Sequence, residues 1–255
     1  DILKKRQEYY KALIPEMIKV LGVDVKKLEF VEGSKIQSNG KYFHDLLKLS
    51  TLTNVHDATK AASEVVKLGD SPKLGGIIYP LMQALDEEYL NVDIQFGGTD
   101  QRKIFVYARE FMPKIGYKAR IELMNYLLPG LIGEKMSSSI PGSKIDVIDS
   151  KEDIEKKINN AACVSGDPKN GLMAFLKYVI FVLKEDKKEK FVVERDKKYG
   201  GNLSYSDYED VEKDFVAKKL HPLDFKKAIA KEINKLVEPI RDNKKIFKLY
   251  KEAYV

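Results

Sequence analysis

The chain has 255 residues, 44% of them hydrophobic and 10% aromatic, enough for one large domain or two moderate ones and too apolar for a disordered segment. Lys and Arg outnumber Asp and Glu by 45 to 39, a net charge of +6 that suits either a polyanionic partner or a lysine-rich solvated surface. One cysteine, Cys163, excludes a disulfide framework, and the scattered His44, His56 and His221 lack metal-ligand spacing, so no protein-held metal is expected and a reducing compartment fits. The longest apolar stretch, FLKYVIFVL, is interrupted by lysine and falls short of the ~20 residues of a membrane span, so a soluble protein is expected. The first residue is Asp1 rather than Met, which reads as a processed product or a fragment.

In chain order, ILKKRQEYYKALIPEMIKVLGV has the apolar spacing of a helix, with a kink or break expected at Pro15. LEFVEG reads as a short strand. YFHDLLKLSTL, DATKAASEVVKLG and GIIYPLMQALDEEYL read as helices, VDIQF as a buried strand, and TDQRKIFVYAREFMP as a helix with Thr99 at its N-cap. ARIELMNYLL is a further strand. Helices alternating with short apolar strands imply a parallel sheet covered on both faces. Beyond PGSKIDVID the pattern turns almost wholly helical: SKEDIEKKINNA, GLMAFLKYVIFVL, YSDYEDVEKDFVAKKL and PLDFKKAIAKEINKLVEPIRDNKKIFKLYKEA, with only KFVVER as strand. The expected organisation is an α/β part over 1–146 followed by a mostly α-helical part over 147–255.

Three polar groupings interrupt these elements. LIGEKMSSSI sets Lys135 and Ser137, Ser138 and Ser139 among Gly130, Gly133 and Gly142, residue types that can clamp a phosphate or simply form an exposed loop. The Walker pattern is absent, because Glu134 precedes Lys135 and Met136 follows it. In YPLMQALD, Tyr79, Gln83 and Asp86 recur at i, i+4 and i+7, a polar stripe on an apolar helix. Such a stripe is either an ordinary amphipathic surface or one wall of a site for a zwitterionic or hydroxylated small molecule. In DIQFGGTDQRK a strand runs through Gly97-Gly98 into a helix start, which serves a tight turn or a ligand at the strand's carboxyl end.

Together, GEKMSSS, YPLMQALDEEYLNVDIQFGGTDQRKIF and HPLDFKKA resemble the archaeal and eukaryotic branch of tyrosyl-tRNA synthetase, a class I aminoacyl-tRNA synthetase, along essentially the whole chain. The resemblance implies a Rossmann-like catalytic domain, incomplete at its N-terminus, over 1–146 and an anticodon-binding domain over 147–255. It implies that Tyr79, Gln83 and Gln101 hold the amino and carboxylate end of tyrosine and that Asp86 accepts the phenolic hydrogen. Gly98 and Asp100 match positions near the ATP ribose. KMSSS corresponds to the Lys-Met-Ser-Lys-Ser signature, with Ser138 in place of its second lysine, so that Lys135, Met136, Ser137, Ser138 and Ser139 face ATP and Lys135, Ser137 and Ser138 serve catalysis. Arg102 and Lys103 match readers of the first acceptor-stem base pair, and Tyr199, His221 and Asp224 match the anticodon contacts. Read without the family, HPLD is a helix start with Pro222 in its first turn, and KKYGGNLSY is a loop.

The implied reaction activates tyrosine with ATP, accompanied by Mg2+, and transfers it to its tRNA. A cytoplasmic homodimer without membrane contact is implied as well. No His-Ile-Gly-His type signature is present, so these 255 residues alone are not expected to form adenylate. A tryptophan-specific relative and a non-catalytic tRNA-binding or signalling fragment are the rival readings.

Overall fold

The computed structural model describes residues 1–133, 136, 140 and 142–254. In chain order its elements are α1 (Ile2–Val20), α2 (Gly33–Gln37), α3 (Gly40–Leu52), α4 (Val55–Ala62), α5 (Leu74–Tyr89), β1 (Ile94–Gly98), α6 (Arg102–Phe111), β2 (Ile121–Asn125), α7 (Lys151–Asn160), α8 (Gly171–Phe175), α9 (Val182–Lys187), β3 (Phe191–Val193), β4 (Leu203–Tyr205), α10 (Tyr208–Val216), α11 (Pro222–Arg241) and α12 (Lys244–Tyr254). A π-helical turn over Leu176–Phe181 joins α8 to α9, and 3-10 turns occupy Thr99–Gln101, Met112–Ile115 and Lys197–Tyr199. The architecture is the expected α/β class, with β1 and β2 parallel and helices dominating after residue 150.

Helix starts follow short polar side chains that satisfy the unpaired amides of a first turn. Asn39 accepts from Lys41 N–H at 2.8 Å, Asn54 from Asp57 at 2.8 Å, Ser150 from Asp153 at 3.0 Å and Asp207 from Asp210 at 3.0 Å. Thr99 does not cap α6: a 3-10 turn precedes that helix, and no side chain accepts its first amides. α1 runs without a break through Pro15.

Compactness divides the chain into residues 29–127 and a second unit formed by 1–28 with 128–255, a different partition from the functional division expected at 146/147. The cause is packing of the first helix on the last: Tyr9 and Leu13 of α1 are buried with Ile246 and Ala253 of α12. Residues past 128 likewise join the helical unit, where Leu131 is buried with Ile154 and Leu172.

Within the unit 29–127, α3, α4, α5 and α6 enclose a core that includes Leu49, Ala84, Leu85 and Phe111. Arg120 clamps the end of α5 to the entry of β1, donating to Glu88 at 2.6 Å and to the Val92 carbonyl at 2.6 Å. The parallel register pairs Ile94 with Ile121 and Phe96 with Leu123, placing all four on one face. That face is open among the described residues, with Phe96 70% exposed, so neither the buried strand expected from VDIQF nor the doubly covered sheet expected from the alternation of helices and strands is found. LEFVEG is also not a strand: residues 28–32 are irregular, without the ladder partner that extended backbone needs.

In the other unit β3 pairs antiparallel with β4, so the end of KKYGGNLSY is a strand rather than a loop. Gly171 opens α8 against the segment preceding LIGEKMSSSI. A Cβ there would lie 2.4 Å from the Gly130 carbonyl oxygen, a backbone atom that cannot rotate away. Gly171→Ala should therefore destabilise the protein by about 3 kcal/mol, the upper range for overpacking. Urea unfolding checks this, and a change below about 0.5 kcal/mol would mean that the segment yields without cost.

Candidate active site

The helical stripe becomes one wall of a cleft. Tyr79, Gln83 and Asp86 of α5 face Gln95 and Phe96 of β1 and Gln101 of the following 3-10 turn across about 460 Å³, with Gln37 at one end. This volume falls within the range of small-molecule sites. Gln83 donates through Nε2 to Gln101 Oε1 at 3.0 Å, linking helix and turn, so all four residues expected at the amino acid meet in one place. Gln37 and Gln95 were not anticipated: Gln37 lies 49 positions from Asp86, and no local pattern marks it.

Glycine makes the turn after β1 possible. A Cβ on Gly97 would come within 2.9 Å of Phe105 Cζ and 3.0 Å of Gln101 Cγ, while one on Gly98 would come within 2.6 Å of Asp100 Oδ1 and 2.8 Å of Leu127 Cδ2. The two glycines thus let Gln101 and Asp100 pack close against the strand end. This packing accounts for the Gly-Gly pair irrespective of a ligand.

Asp86 is held from behind. The Tyr42 hydroxyl lies 2.9 Å from its Oδ1 and 2.8 Å from the Met82 carbonyl oxygen, and Gln37 Nε2 lies 3.2 Å from Oδ1 and 3.3 Å from Oδ2. Burial and then the adjacent carboxylate raise the pKa of the Tyr42 phenol, which therefore stays a proton donor. Behind it, buried Asp45 accepts from Tyr89 at 2.8 Å, from Lys48 at 3.2 Å and from Tyr117. Burial pushes the Asp45 carboxyl up, but these donors outweigh burial and hold it below the usual range.

Glu87, the next residue on α5, is 3% exposed, and its Oε1 has no hydrogen-bond partner among the described residues. Burial pushes its pKa up to about 7, against the opposing pull of the Arg120 charge.

Arg102 and Lys103 open α6 on a different cleft, of about 460 Å³, which they line with Asp57, Lys60 and Glu64. Lys103 pairs with Glu64 at 2.7 Å and donates to Ser63 Oγ at 2.8 Å. Of the KMSSS residues, Met136 is irregular and half-buried, and Lys135, Ser137, Ser138 and Ser139 lie outside the described residues. The segment is bracketed by Gly133 at φ +76° and Gly142 at φ +78°. Leu131 N–H donates to the Ser143 carbonyl at 2.9 Å, closing its base.

Tyr199 is exposed on its 3-10 turn, with the Lys198 ammonium 4.9 Å from its ring centre. His221 is the N-cap of α11, its Nδ1 accepting from Leu223 N–H at 3.2 Å, and Asp224 sits in the first turn. Arg195, not singled out from the sequence, ties these segments together: its side chain donates to the Gly201 carbonyl at 3.0 Å and to the Lys219 carbonyl at 3.2 Å.

Residues 1–238 match the family described as class I tRNA synthetases (W and Y). The probable cytoplasmic tyrosine–tRNA ligase of Enterocytozoon bieneusi is 45% identical, covering 100% of this chain and 71% of that protein. The chain belongs to the tyrosyl-tRNA synthetase family. Another member of that family, the cytoplasmic tyrosine–tRNA ligase of Xenopus tropicalis, is 46% identical over 100% of this chain and 48% of its own length. The chain thus spans about half the length of such curated relatives. The crystal structure of the tyrosyl-tRNA synthetase of Archaeoglobus fulgidus complexed with L-tyrosine superposes with a TM-score of 0.80 at 41% identity, covering 88% of this chain and 69% of that one.

Proposed function

We propose that this chain is part of a tyrosine–tRNA ligase and supplies the amino-acid cleft, the KMSSS segment and the tRNA-reading helices of that enzyme. The observation that carries the reading is the convergence of Tyr79, Gln83, Asp86 and Gln101 on one cleft. It is supported by family membership and by the A. fulgidus relative, whose crystal structure holds L-tyrosine. A carboxylate at one end and a phenol with two amides further along match the two polar ends of tyrosine.

In this reading Asp86 accepts the phenolic hydrogen, and Tyr79, Gln83 and Gln101 orient the amino and carboxylate groups. The tyrosine carboxylate oxygen bonds to the α-phosphorus of ATP while the bond to the β-phosphate oxygen breaks, giving tyrosyl-adenylate and pyrophosphate. A hydroxyl oxygen of the terminal ribose of the tRNA for tyrosine then bonds to the acyl carbon while the acyl–phosphate bond breaks, and AMP leaves. The chain contributes positioning and electrostatic stabilisation rather than a covalent intermediate. Gly98 and Asp100 sit on the ATP side, with Lys135, Met136 and Ser137 to Ser139 at the phosphates. Among the described residues no cluster of three or more His, Cys, Asp or Glu could hold a metal, and Mg2+ is assigned to the ATP phosphates. Arg102 and Lys103 meet the acceptor stem, and Tyr199, His221 and Asp224 the anticodon. Residues 1–146 then count as catalytic and 147–255 as anticodon-binding. A homodimer in the cytoplasm completes the reading, the latter supported by the relatives' names.

Amino-acid-dependent ATP–pyrophosphate exchange by the full-length protein tests this. Tyrosine should support exchange at least about a hundredfold better than phenylalanine or tryptophan, the margin expected when a buried polar partner is left unpaired. A preference for tryptophan, or tRNA binding without any exchange, would overturn the assignment.

A further inference from the structure

We propose that Tyr42 is the positioning residue for Asp86, and that its hydroxyl sets how strongly the cleft selects a phenol over an unsubstituted ring. The inference rests on the tyrosine reading of the cleft.

Tyr42 is 1% exposed, so its hydroxyl has no water to bond and must find its partners within the fold. It carries one proton and lies between two acceptors, the Met82 carbonyl at 2.8 Å and Asp86 Oδ1 at 2.9 Å. The carbonyl and the ionised carboxylate both only accept, so the single proton is shared between them in a bifurcated bond, and both acceptors lie on α5, one turn apart. The hydroxyl therefore pins the Asp86 side chain to a fixed point of its own helix. Gln37 reaches the carboxylate from a third direction and straddles both oxygens at 3.2 and 3.3 Å. A carboxylate offers about four lone-pair positions, so after these two donors it keeps room for one more on the cleft side. That remaining position fits the hydroxyl of a para-substituted ring.

The ring of Tyr42 cannot drift. It packs edge-on against Tyr89, centres 4.8 Å apart at 61°, and the Tyr89 hydroxyl is anchored on buried Asp45 at 2.8 Å. Tyr117 and Lys48 hold the same aspartate. The donor behind Asp86 is thus fixed in a rigid layer, which is what precise placement of an acceptor requires.

The test compares tyrosine and phenylalanine activation by the full-length protein carrying Tyr42→Phe, which keeps the ring, with Tyr89→Phe, which removes a hydroxyl from the same layer without touching Asp86. Tyr42→Phe should lower kcat/KM for tyrosine by about tenfold, chiefly through KM, and leave that for phenylalanine within about twofold, as expected for loss of one hydrogen bond to a charge. Tyr89→Phe should leave the tyrosine-to-phenylalanine ratio within about twofold of native whatever it does to the melting temperature. An unchanged ratio in Tyr42→Phe, or an equal loss in both variants, overturns the positioning role while the cleft assignment stands. A native protein that does not activate tyrosine overturns both.

Discussion

Asp86→Ala should lower kcat/KM for tyrosine by at least about a hundredfold while leaving the slow activation of phenylalanine nearly unchanged, because hydrogen bonds to a charged acceptor are the strong ones and the variant leaves the ligand phenol without its acceptor, whereas Tyr42 keeps the Met82 carbonyl. The asymmetry follows from position. Asp86 stands at the opposite end of the stripe from Tyr79, beyond the Gln83–Gln101 bond at 3.0 Å. A ring without a hydroxyl never uses that acceptor, so only tyrosine registers its loss. Pyrophosphate exchange measured at subsaturating amino acid gives the two ratios directly. An equal fall for both amino acids would mean that Asp86 holds the cleft together rather than reading the phenol.

Its neighbour Glu87 has the opposite fate, and Glu87→Gln should stabilise the protein by about 2 to 3 kcal/mol at pH 8. The carboxyl is buried, has an oxygen without a partner among the described residues, and is pushed up to about 7 from 4.5. Between pH 4.5 and 7 the unfolded chain releases this proton while the folded chain keeps it, so stability falls as pH rises through that window. Above it both forms are ionised and the penalty is constant; below about pH 4 both are protonated and it vanishes. The glutamine variant retains the shape and removes the titration. Urea midpoints at pH 4 and pH 8 should show the variant gaining at pH 8 and nearly matching the native protein at pH 4. A gain that is equal at both pH values would point to relief of packing strain instead of a buried charge.

These two residues show how far the sequence could be read. The i, i+4, i+7 recurrence of Tyr79, Gln83 and Asp86 depends only on helical geometry, and GIIYPLMQALDEEYL forms that helix. The strand and glycine pair before Gln101 were legible for the same reason, being local, whereas the 3-10 turn that carries Gln101 was expected as the first turn of a Thr99-capped helix. What depends on distant contacts was not. Gln37 and Tyr42 reach Asp86 only because α2 and α3 pack against α5, and the chain between them offers no period that says so. LEFVEG has the composition of a strand, but a strand exists only with a hydrogen-bonded neighbour. VDIQF did become a strand, yet its apolar face is open, since alternation predicts which residues share a face and not what covers them. The docking of α1 onto α12, bridging nearly the full length of the chain, could not be seen from either helix alone. His221 illustrates a reading that both descriptions share: the structure shows a helix cap, and a cap on an exposed turn remains available to a base.

The most direct test of the central claim is a crystal structure of the protein with L-tyrosine. The account predicts the phenolic oxygen within about 2.5–3.0 Å of an Asp86 carboxylate oxygen, with the ammonium and carboxylate groups against Tyr79, Gln83 and Gln101. Tyrosine bound outside this cleft, or bound within it with the phenol turned away from Asp86, would contradict it.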